Sequence, residues 1–156
     1  MREITGAGHY GFLIEVTAKK IKQSLQKQFN EHKIDLTVDQ WVTLDQIKKS
    51  DGISQNVLAE KIFKDAPTVT RIVDILCHKD FIERRSDKRD RRRFALFLKP
   101  KGQEMINEAL PVVVKTRKNG WKGLSGPDYQ ELVRIIRLIN DNFGNGSIFE
   151  NGWDQD

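Results

Sequence analysis

The segment "SDKRDRRR", residues 86–93, concentrates positive charge, since five of its eight side chains are Lys or Arg. Over residues 79–101, ten Lys and Arg stand against four Asp and Glu, a larger excess than the +5 net charge of the whole chain. A local excess of this kind attracts a polyanion, because each neutralised phosphate releases condensed counterions. Taken alone, the run is equally typical of a solvated face. Its candidate nucleic-acid contacts are Lys88, Arg89, Asp90, Arg91, Arg92 and Arg93.

A second polar group lies at the start of "DAPTVTRIVDIL", residues 65–76. Asp65 is a helix N-cap, and Pro67 suits the first turn, where its missing N–H costs nothing. The helical spacing of the apolar residues predicts a core face formed by Val69, Ile72, Val73 and Leu76. This leaves a small exposed cluster at the N-terminal end, namely Pro67, Thr68, Thr70 and Arg71. Ser54 and Gln55, which open the preceding short helix, are candidates for the same surface.

Other chemistry has weaker support. Cys77, the single cysteine, cannot form an intramolecular disulfide, and beside an apolar stripe it is more typical of a small buried hydrophobe than of an oxidant-sensing thiol. The histidines are scattered and lack metal-ligand spacing: His9, His32 and His78. No nucleophile with a base and no Gly-rich phosphate loop stands out, so we expect neither an enzyme nor a bound metal or cofactor.

Length and composition are those of a globular protein. The 156 residues, 38% of them hydrophobic and 31% charged, suit one domain or two small lobes that share helices. No apolar run approaches the roughly 18 residues that span a bilayer. The first residues, "MREITGAGHYGFLIEV", lack the pattern of a secretory signal. We therefore expect a cytoplasmic protein.

Helical periodicity organises the first half of the chain. Residues 9–34 predict one long helix with an apolar face formed by Ile14, Ala18, Ile21, Leu25 and Phe29. Thr37 and Gln40 form a capping box before a second helix, whose buried stripe is Trp41, Leu44 and Ile47. A short helix capped by Ser54 follows, with inward side chains Val57, Leu58 and Ile62.

The basic run lies between two strand-like segments. "FIERR" and "FALFL" predict a two-stranded hairpin with the basic run at its tip and with Phe94, Leu96 and Leu98 on one face. The order helix, helix, short helix, helix, hairpin predicts a winged helix-turn-helix, a mainly α fold with a small β-hairpin wing (α+β). In that arrangement the fourth helix lies in the major groove, and the wing reaches the adjacent backbone or minor groove.

Long amphipathic helices flank this lobe. Residues 101–121 and 125–143 both show helical apolar spacing, and the last helix carries a stripe of Leu132, Ile135, Ile136, Ile139 and Phe143. The flanking helices have more apolar surface than one small lobe covers, which predicts pairing with a second subunit. We divide the chain into an N-terminal dimerisation helix (1–34), a DNA-binding domain (35–100), C-terminal dimerisation helices (101–145) and a flexible tail (146–156).

Together, these segments resemble the MarR family of bacterial transcription regulators over residues 10–143. The resemblance rests on "LTVDQW", "LAEKI", "TVTRIVDIL", "FIERR" and, above all, the run "DKRDRRRFALFLKPKG". It implies a homodimer that binds a pseudo-palindromic operator, usually as a repressor released by a small molecule or an oxidant. It also implies that Asp90 orients Arg92, and that Arg92 enters the minor groove. Lys99 departs from the family, in which Thr is usual at this position.

Two functions from different classes remain. One is a homodimeric, sequence-specific regulator of transcription, and the other is a basic nucleic-acid or protein interaction module without operator specificity. Competition with random duplex distinguishes them. In the family, effectors bind where the dimerisation helices meet the DNA-binding lobe, here near His9, Tyr10, Leu13 and Trp41. Packing is the favoured explanation of these residues, so the effector-binding residues stay unassigned.

Overall fold

The computed structural model describes residues 7–144. In chain order they form a short 3-10 turn (Ala7–His9), α1 (Tyr10–Glu31), α2 (Val38–Lys49), β1 (Ile53–Ser54), α3 (Gln55–Lys61), α4 (Ala66–His78), β2 (Ile82–Ser86), β3 (Phe94–Leu98), α5 (Pro100–Gly120) and α6 (Gly126–Asn142). The predicted winged, mainly helical fold is confirmed. The predicted tail, 146–156, lies outside the described residues. Within residues 7–144, no helix is both long and apolar enough to cross a membrane.

Hydrogen bonds at the helix starts are those the sequence predicts. Thr37 Oγ1 accepts the backbone N–H of Gln40 at 3.1 Å, and Gln40 Oε1 accepts the backbone N–H of Thr37 at 3.1 Å, which completes the capping box. Ser54 Oγ accepts the backbone N–H of Val57 at 3.3 Å, and Asp65 caps α4. These bonds satisfy N–H groups that have no partner within the helix, so each contributes about 1 kcal/mol.

The wing is part of a three-stranded antiparallel sheet in the order β1-β3-β2. Strand β2 pairs with β3 along its whole length, as predicted for the hairpin. The sequence did not predict β1, which adds a third strand to the hairpin, with Ile53 opposite Leu96. A two-residue strand carries no periodicity of its own, so this pairing is visible only in three dimensions.

One hydrophobic core contains residues from each of the helices α1 through α5 and from all three strands. The predicted stripes of α2 and α4 are buried, as are Leu58, Ile62 and Leu96. The inward prediction for Val57 was wrong, since Val57 is 42% exposed, and Phe94, predicted on the same face as Leu96, is 41% exposed. Leu58 and Ile62 lie one turn apart and occupy the inner face of the short α3, so the adjacent Val57 points away. Phe94 begins β3 near the wing tip, beyond the core.

The two terminal helices leave apolar side chains in solvent. Of the stripe predicted for α1, Phe29 is fully buried, but Ile14 is 39% and Ile21 is 63% exposed. Helix α6 buries no residue at all, and Leu132 and Ile135 remain more than 40% exposed. The single chain therefore has a core for its winged lobe and an uncovered apolar surface on α1 and α6.

Gly102 is required where α5 approaches the chain before β2. A Cβ added to Gly102 would lie 2.1 Å from the carbonyl oxygen of Phe81 and 2.9 Å from Leu98 Cδ1. Because the nearest atom belongs to the backbone, α5 must move to admit a methyl group. We expect Gly102→Ala to lower the free energy of unfolding by about 1–3 kcal/mol, as overpacked sites do.

Gly120→Ala, at the other end of α5, is the matched control. A Cβ at Gly120 meets nothing within 4 Å. Since Ala has the higher helix propensity, this variant should keep the stability or raise it by up to about 1 kcal/mol. Urea unfolding of both variants beside the parent protein measures the difference. Equal unfolding free energies for the two would contradict the close approach at Gly102.

Candidate nucleic-acid interface

Helices α3 and α4 form the helix-turn-helix. Phe63 adopts the left-handed φ of 54°, which ends α3 and turns the chain toward α4. Asp65 then caps α4: its Oδ1 accepts the backbone N–H of Thr68 at 2.9 Å, and its Oδ2 accepts the Thr68 hydroxyl at 2.7 Å. The hydrogen bonds from Thr68 hold the pKa of the Asp65 carboxyl below its ordinary value. Asp65 and Thr68 therefore fix the first turn of α4.

The remaining candidates on α4 face solvent. Pro67, Thr70 and Arg71 are all exposed, because the core face of the helix is taken by its apolar stripe. Arg71 forms no ion pair or side-chain hydrogen bond with another residue in the described part of the chain. Its guanidinium is thus available to a ligand, whereas the hydroxyl of Thr68 is engaged in the cap.

Two carboxylates shape the wing tip. Asp87 Oδ1 accepts the backbone N–H of Arg89 at 2.8 Å, and Asp90 Oδ1 accepts that of Arg92 at 3.0 Å. Backbone bonds between Asp87 and Arg93, and between Arg93 and Asp90, close the turn at 2.9 Å each. The acidic residues within the basic run therefore hold its backbone, which explains their place among so many cations.

The cations of the tip are almost all unengaged. Asp90 Oδ2 forms an ion pair with Arg93 Nε at 3.6 Å. This differs from the pairing with Arg92 that the resemblance implies, since Asp90 contacts Arg92 through the backbone N–H and not through the guanidinium. Within residues 7–144, four other cations form no ion pair, namely Lys88, Arg89, Arg91 and Arg92. Such an array in high dielectric is suited to a polyanion.

The two predicted groups of site residues meet in one cleft. A cleft of about 370 Å³ between α3, α4 and the wing is lined by Ser54, Gln55, Asn56, Thr70, Asp74, Arg84, Arg92, Arg93 and Phe94. It brings the start of the helix-turn-helix and the exposed side of α4 together with two arginines of the wing. Pro67, Thr68 and Arg71 lie on the first turns of α4 outside this cleft, and Lys88, Arg89 and Arg91 lie at the tip.

Sequence reasoning missed two arginines of β2. Arg84 forms an ion pair with Asp74 of α4 at 2.5 Å and donates from Nε to Gln55 Oε1 at 3.3 Å. Arg85 lies over the ring of Phe97, 4.1 Å from its centroid, and pairs with Glu83. The signal was the alternation in "FIERR", because the side chains of Arg84 and Arg85 must point to opposite faces of the strand.

Ion pairs also connect the helix-turn-helix to α1 and α2. Asp39 of α2 binds Lys22 of α1 at 2.9 Å and Lys64 of the helix-turn-helix at 3.3 Å. Burial raises the pKa of Asp39, but the two ammonium groups outweigh it and leave the pKa below its ordinary value. Lys99, the departure from the family pattern, pairs with Asp80. The departure is thus accommodated by a local ion pair outside the cleft.

The alternative sites have little support in the geometry. Burial raises the pKa of the Cys77 thiol, and its side chain packs against the core, which favours the thiol over the reactive thiolate. In the described part of the chain, no group of three or more His, Cys, Asp or Glu side chains is placed to bind a metal ion.

Comparison with known proteins agrees with this geometry. Residues 36–94 match the model of the MarR family. A MarR mutant from E. coli complexed with operator DNA superimposes with a TM-score of 0.76 at 22% identity, covering 83% of this chain and 91% of that one. The S. aureus MepR–DNA complex gives a TM-score of 0.78 at 21% identity, over 86% and 98% of the two chains.

A third similar structure contains a bound ligand. The PcaV transcriptional regulator from Streptomyces coelicolor, in complex with its natural ligand, gives a TM-score of 0.73 at 20% identity, over 90% of this chain and 98% of that one. At these identities, the structural likeness establishes the winged fold with its flanking helices.

Proposed function

The chain belongs to the MarR family, and from this premise we propose that it is a homodimeric, sequence-specific DNA-binding regulator of transcription. The observation that carries the proposal is the cleft in which Gln55 and Thr70 of the helix-turn-helix face Arg92 and Arg93 of the wing. One face of the molecule thereby presents a helix end with hydrogen-bonding groups beside an array of unengaged cations. This combination suits duplex DNA, which offers base edges next to phosphates.

In the proposed complex, α4 enters the major groove and the wing follows the adjacent minor groove. Pro67, Thr70 and Arg71 are exposed at the start of α4, beside the partly buried Thr68, and that end of a recognition helix is the one that meets base edges. The tip residues 88–93 are held by backbone bonds into a turn whose cations point outward. Arg92 is the residue we assign to the minor groove.

A second copy of the chain is the proposed partner of α1 and α6. The exposed apolar side chains of α6, and those near the start of α1, have no cover in the single chain. Their mutual burial across a two-fold axis would place two α4 helices about one helical turn of DNA apart, roughly 34 Å. An inverted-repeat operator follows from that symmetry.

Finer features of the proposal rest on the family. We infer that the protein is a cytoplasmic repressor without catalytic activity, because this is the usual role in the MarR family. Release by a small-molecule effector is part of the proposal, supported by the ligand-bound structure of the similar PcaV regulator.

Selection of bound duplexes from a random pool tests the proposed function. A dimeric regulator should enrich an inverted repeat whose half-sites are about 10 base pairs apart from centre to centre. A basic interaction module without operator specificity should enrich no sequence, and excess random duplex should displace any duplex that it has bound. Absence of enrichment would overturn the proposal.

Replacing Arg71 and replacing Arg92 should affect DNA binding in different ways. Arg71→Ala removes a side chain assigned to the major groove, so it should cost roughly 1–3 kcal/mol per half-site on the preferred operator and flatten the preference at one position. Arg92→Ala should weaken binding to nearly all sequences and lower the salt dependence, with selectivity lost only at flanking A·T steps. Affinities for single-base operator variants at two salt concentrations measure both changes.

Two further variants complete this panel. Asp90→Ala should resemble Arg92→Ala in a milder form, because it releases the backbone of the tip without removing a cation. Arg117→Ala, an exposed arginine on α5, should leave binding unchanged. If Arg71→Ala and Arg92→Ala give the same profile, the assignment of helix and wing to different grooves is wrong.

A further inference from the structure

Arg84 of β2 contacts both helices of the helix-turn-helix. Its guanidinium binds Asp74 of α4 at 2.5 Å, donates from Nε to Gln55 Oε1 of α3 at 3.3 Å, and lies 3.5 Å from the backbone oxygen of Thr70. The side chain of Arg84 is about a quarter exposed. Its donors are thus directed at protein groups, in contrast to the unengaged cations of the wing tip.

This arrangement fixes the orientation of the Gln55 amide. A guanidinium has only donors, so the amide group facing Arg84 must be the oxygen. The amide nitrogen then points the other way and donates to Thr70 Oγ1 at 2.9 Å. A flipped amide would set donor against donor at Arg84, and the ion pair with Asp74 keeps Arg84 in place to prevent the flip.

The chain of hydrogen bonds ends at the Thr70 hydroxyl. Because Thr70 Oγ1 accepts from Gln55, its own proton must point elsewhere, and the hydroxyl donates no hydrogen bond to another residue within 7–144. Thr70 is exposed on α4 and lines the cleft. We propose that Arg84 is a positioning residue that, through Gln55, holds the Thr70 hydroxyl with its proton directed toward the DNA, where it donates a hydrogen bond.

The proposal specifies the chemistry that Thr70 recognises, and it rests on the proposed function. A donor matches an acceptor atom: N7 or O6 of guanine, N7 of adenine, O4 of thymine or a phosphate oxygen. The amino group of cytosine offers no acceptor for this proton. Without the contacts of Arg84, the Gln55 amide can flip and present its oxygen to Thr70. The Thr70 hydroxyl would then donate to Gln55 and not to the DNA.

We call the contacts from Arg84 through Gln55 to Thr70 the relay. Two substitutions test it on the operator selected from the random pool. Thr70→Val keeps the shape and removes the donor, so it should reduce the preference at one operator position by about tenfold. Arg84→Lys keeps the charge but loses the planar fork, so it should reduce the same preference and leave the salt dependence unchanged. The double variant should show no further loss. Additive losses at two different positions would mean that Arg84 contacts DNA itself and would overturn the proposal.

Gln55→Glu reverses the relay without touching Arg84. A carboxylate accepts from Arg84 and also from the Thr70 hydroxyl, which would turn inward and present only lone pairs to the DNA. The preference at the Thr70 position should disappear beyond the general loss of affinity from the added negative charge. Asn56→Asp, which adds the same charge at the adjacent exposed residue, is the matched control and should lower affinity with the preference intact.

Modified duplexes separate the two sources of the acceptor. If Thr70 donates to a purine N7, 7-deazapurine at that position should weaken DNA binding by the parent protein and leave binding by the Thr70→Val variant unchanged. If Thr70 binds a phosphate, a single methylphosphonate should do so instead. Retained operator selection with an unchanged preference in Thr70→Val, Arg84→Lys and Gln55→Glu would overturn this proposal alone. Absence of operator selection by the parent protein would overturn the proposed function.

Discussion

Raising the salt concentration from about 50 to about 200 mM is expected to weaken operator binding by about a thousandfold or more. Each subunit offers four cations at the wing tip that form no ion pair within the described residues, as well as the exposed Arg71. A dimer that places both wings and both helix-turn-helix units on the duplex should make on the order of six to ten phosphate contacts. The dependence follows from counterion release, which scales with that number.

The slope can be assigned to the wing by single substitutions. Arg89→Gln removes one tip cation per subunit, so the slope of log affinity against log salt should fall by about two for the dimer if both copies contact phosphates. Lys20→Gln is the matched control, because Lys20 is an exposed cation on α1, away from the cleft. Fluorescence anisotropy titrations with a fixed duplex at four salt concentrations suffice.

A nearly flat salt dependence in the parent protein would place the basic run outside the interface. The same conclusion would follow if Arg89→Gln and Lys20→Gln lowered the slope equally, because the charge would then act through the field of the whole protein and not through contacts at the tip. Neither result would bear on the fold.

The sequence predicted the parts of the fold that depend on neighbours along the chain. Thr37, Ser54 and Asp65 cap the helices that their spacing indicated, because a cap is a hydrogen bond within three or four residues. The stripe of α4 is buried for the same reason, since a period of 3.6 places those residues on one side. The sequence did not predict which side of the short α3 faces the core, since Val57 was expected to point inward and is exposed.

Contacts between distant segments were not predictable in this way. The pairing of β1 with β3, the approach of Gly102 to Phe81 and the contacts of Arg84 all join residues far apart in sequence. The candidate site was found through its charge and its helix end, whereas the relay behind Thr70 was missed. Arg84 looked like one more cation, and only its contacts with Asp74 and Gln55 separate it from the tip arginines.

The apolar faces of α1 and α6 raise a different problem, since the single chain leaves them exposed despite their clear periodicity. A pattern predicts that a face is covered, but it does not identify what covers it. Phe143 is 75% exposed and Ile21 is 63% exposed, whereas the stripes of α2 and α4 are buried. The energetic cost of exposing such a surface is the physical argument for a second subunit.

Ile135→Glu is expected to convert the dimer into monomers at micromolar concentration and to lower operator affinity by at least about a hundredfold, because linked half-site contacts gain two to four orders of magnitude from effective concentration. Ile135 is 41% exposed in the single chain, so the charge should leave the winged lobe folded. Gln130→Glu, on the opposite side of α6, is the matched control and should remain dimeric. Sedimentation velocity and operator titration measure both effects. A parent protein that sediments as a monomer at micromolar concentration, or an Ile135→Glu variant that stays dimeric with unchanged affinity, would show that α6 does not form the subunit interface.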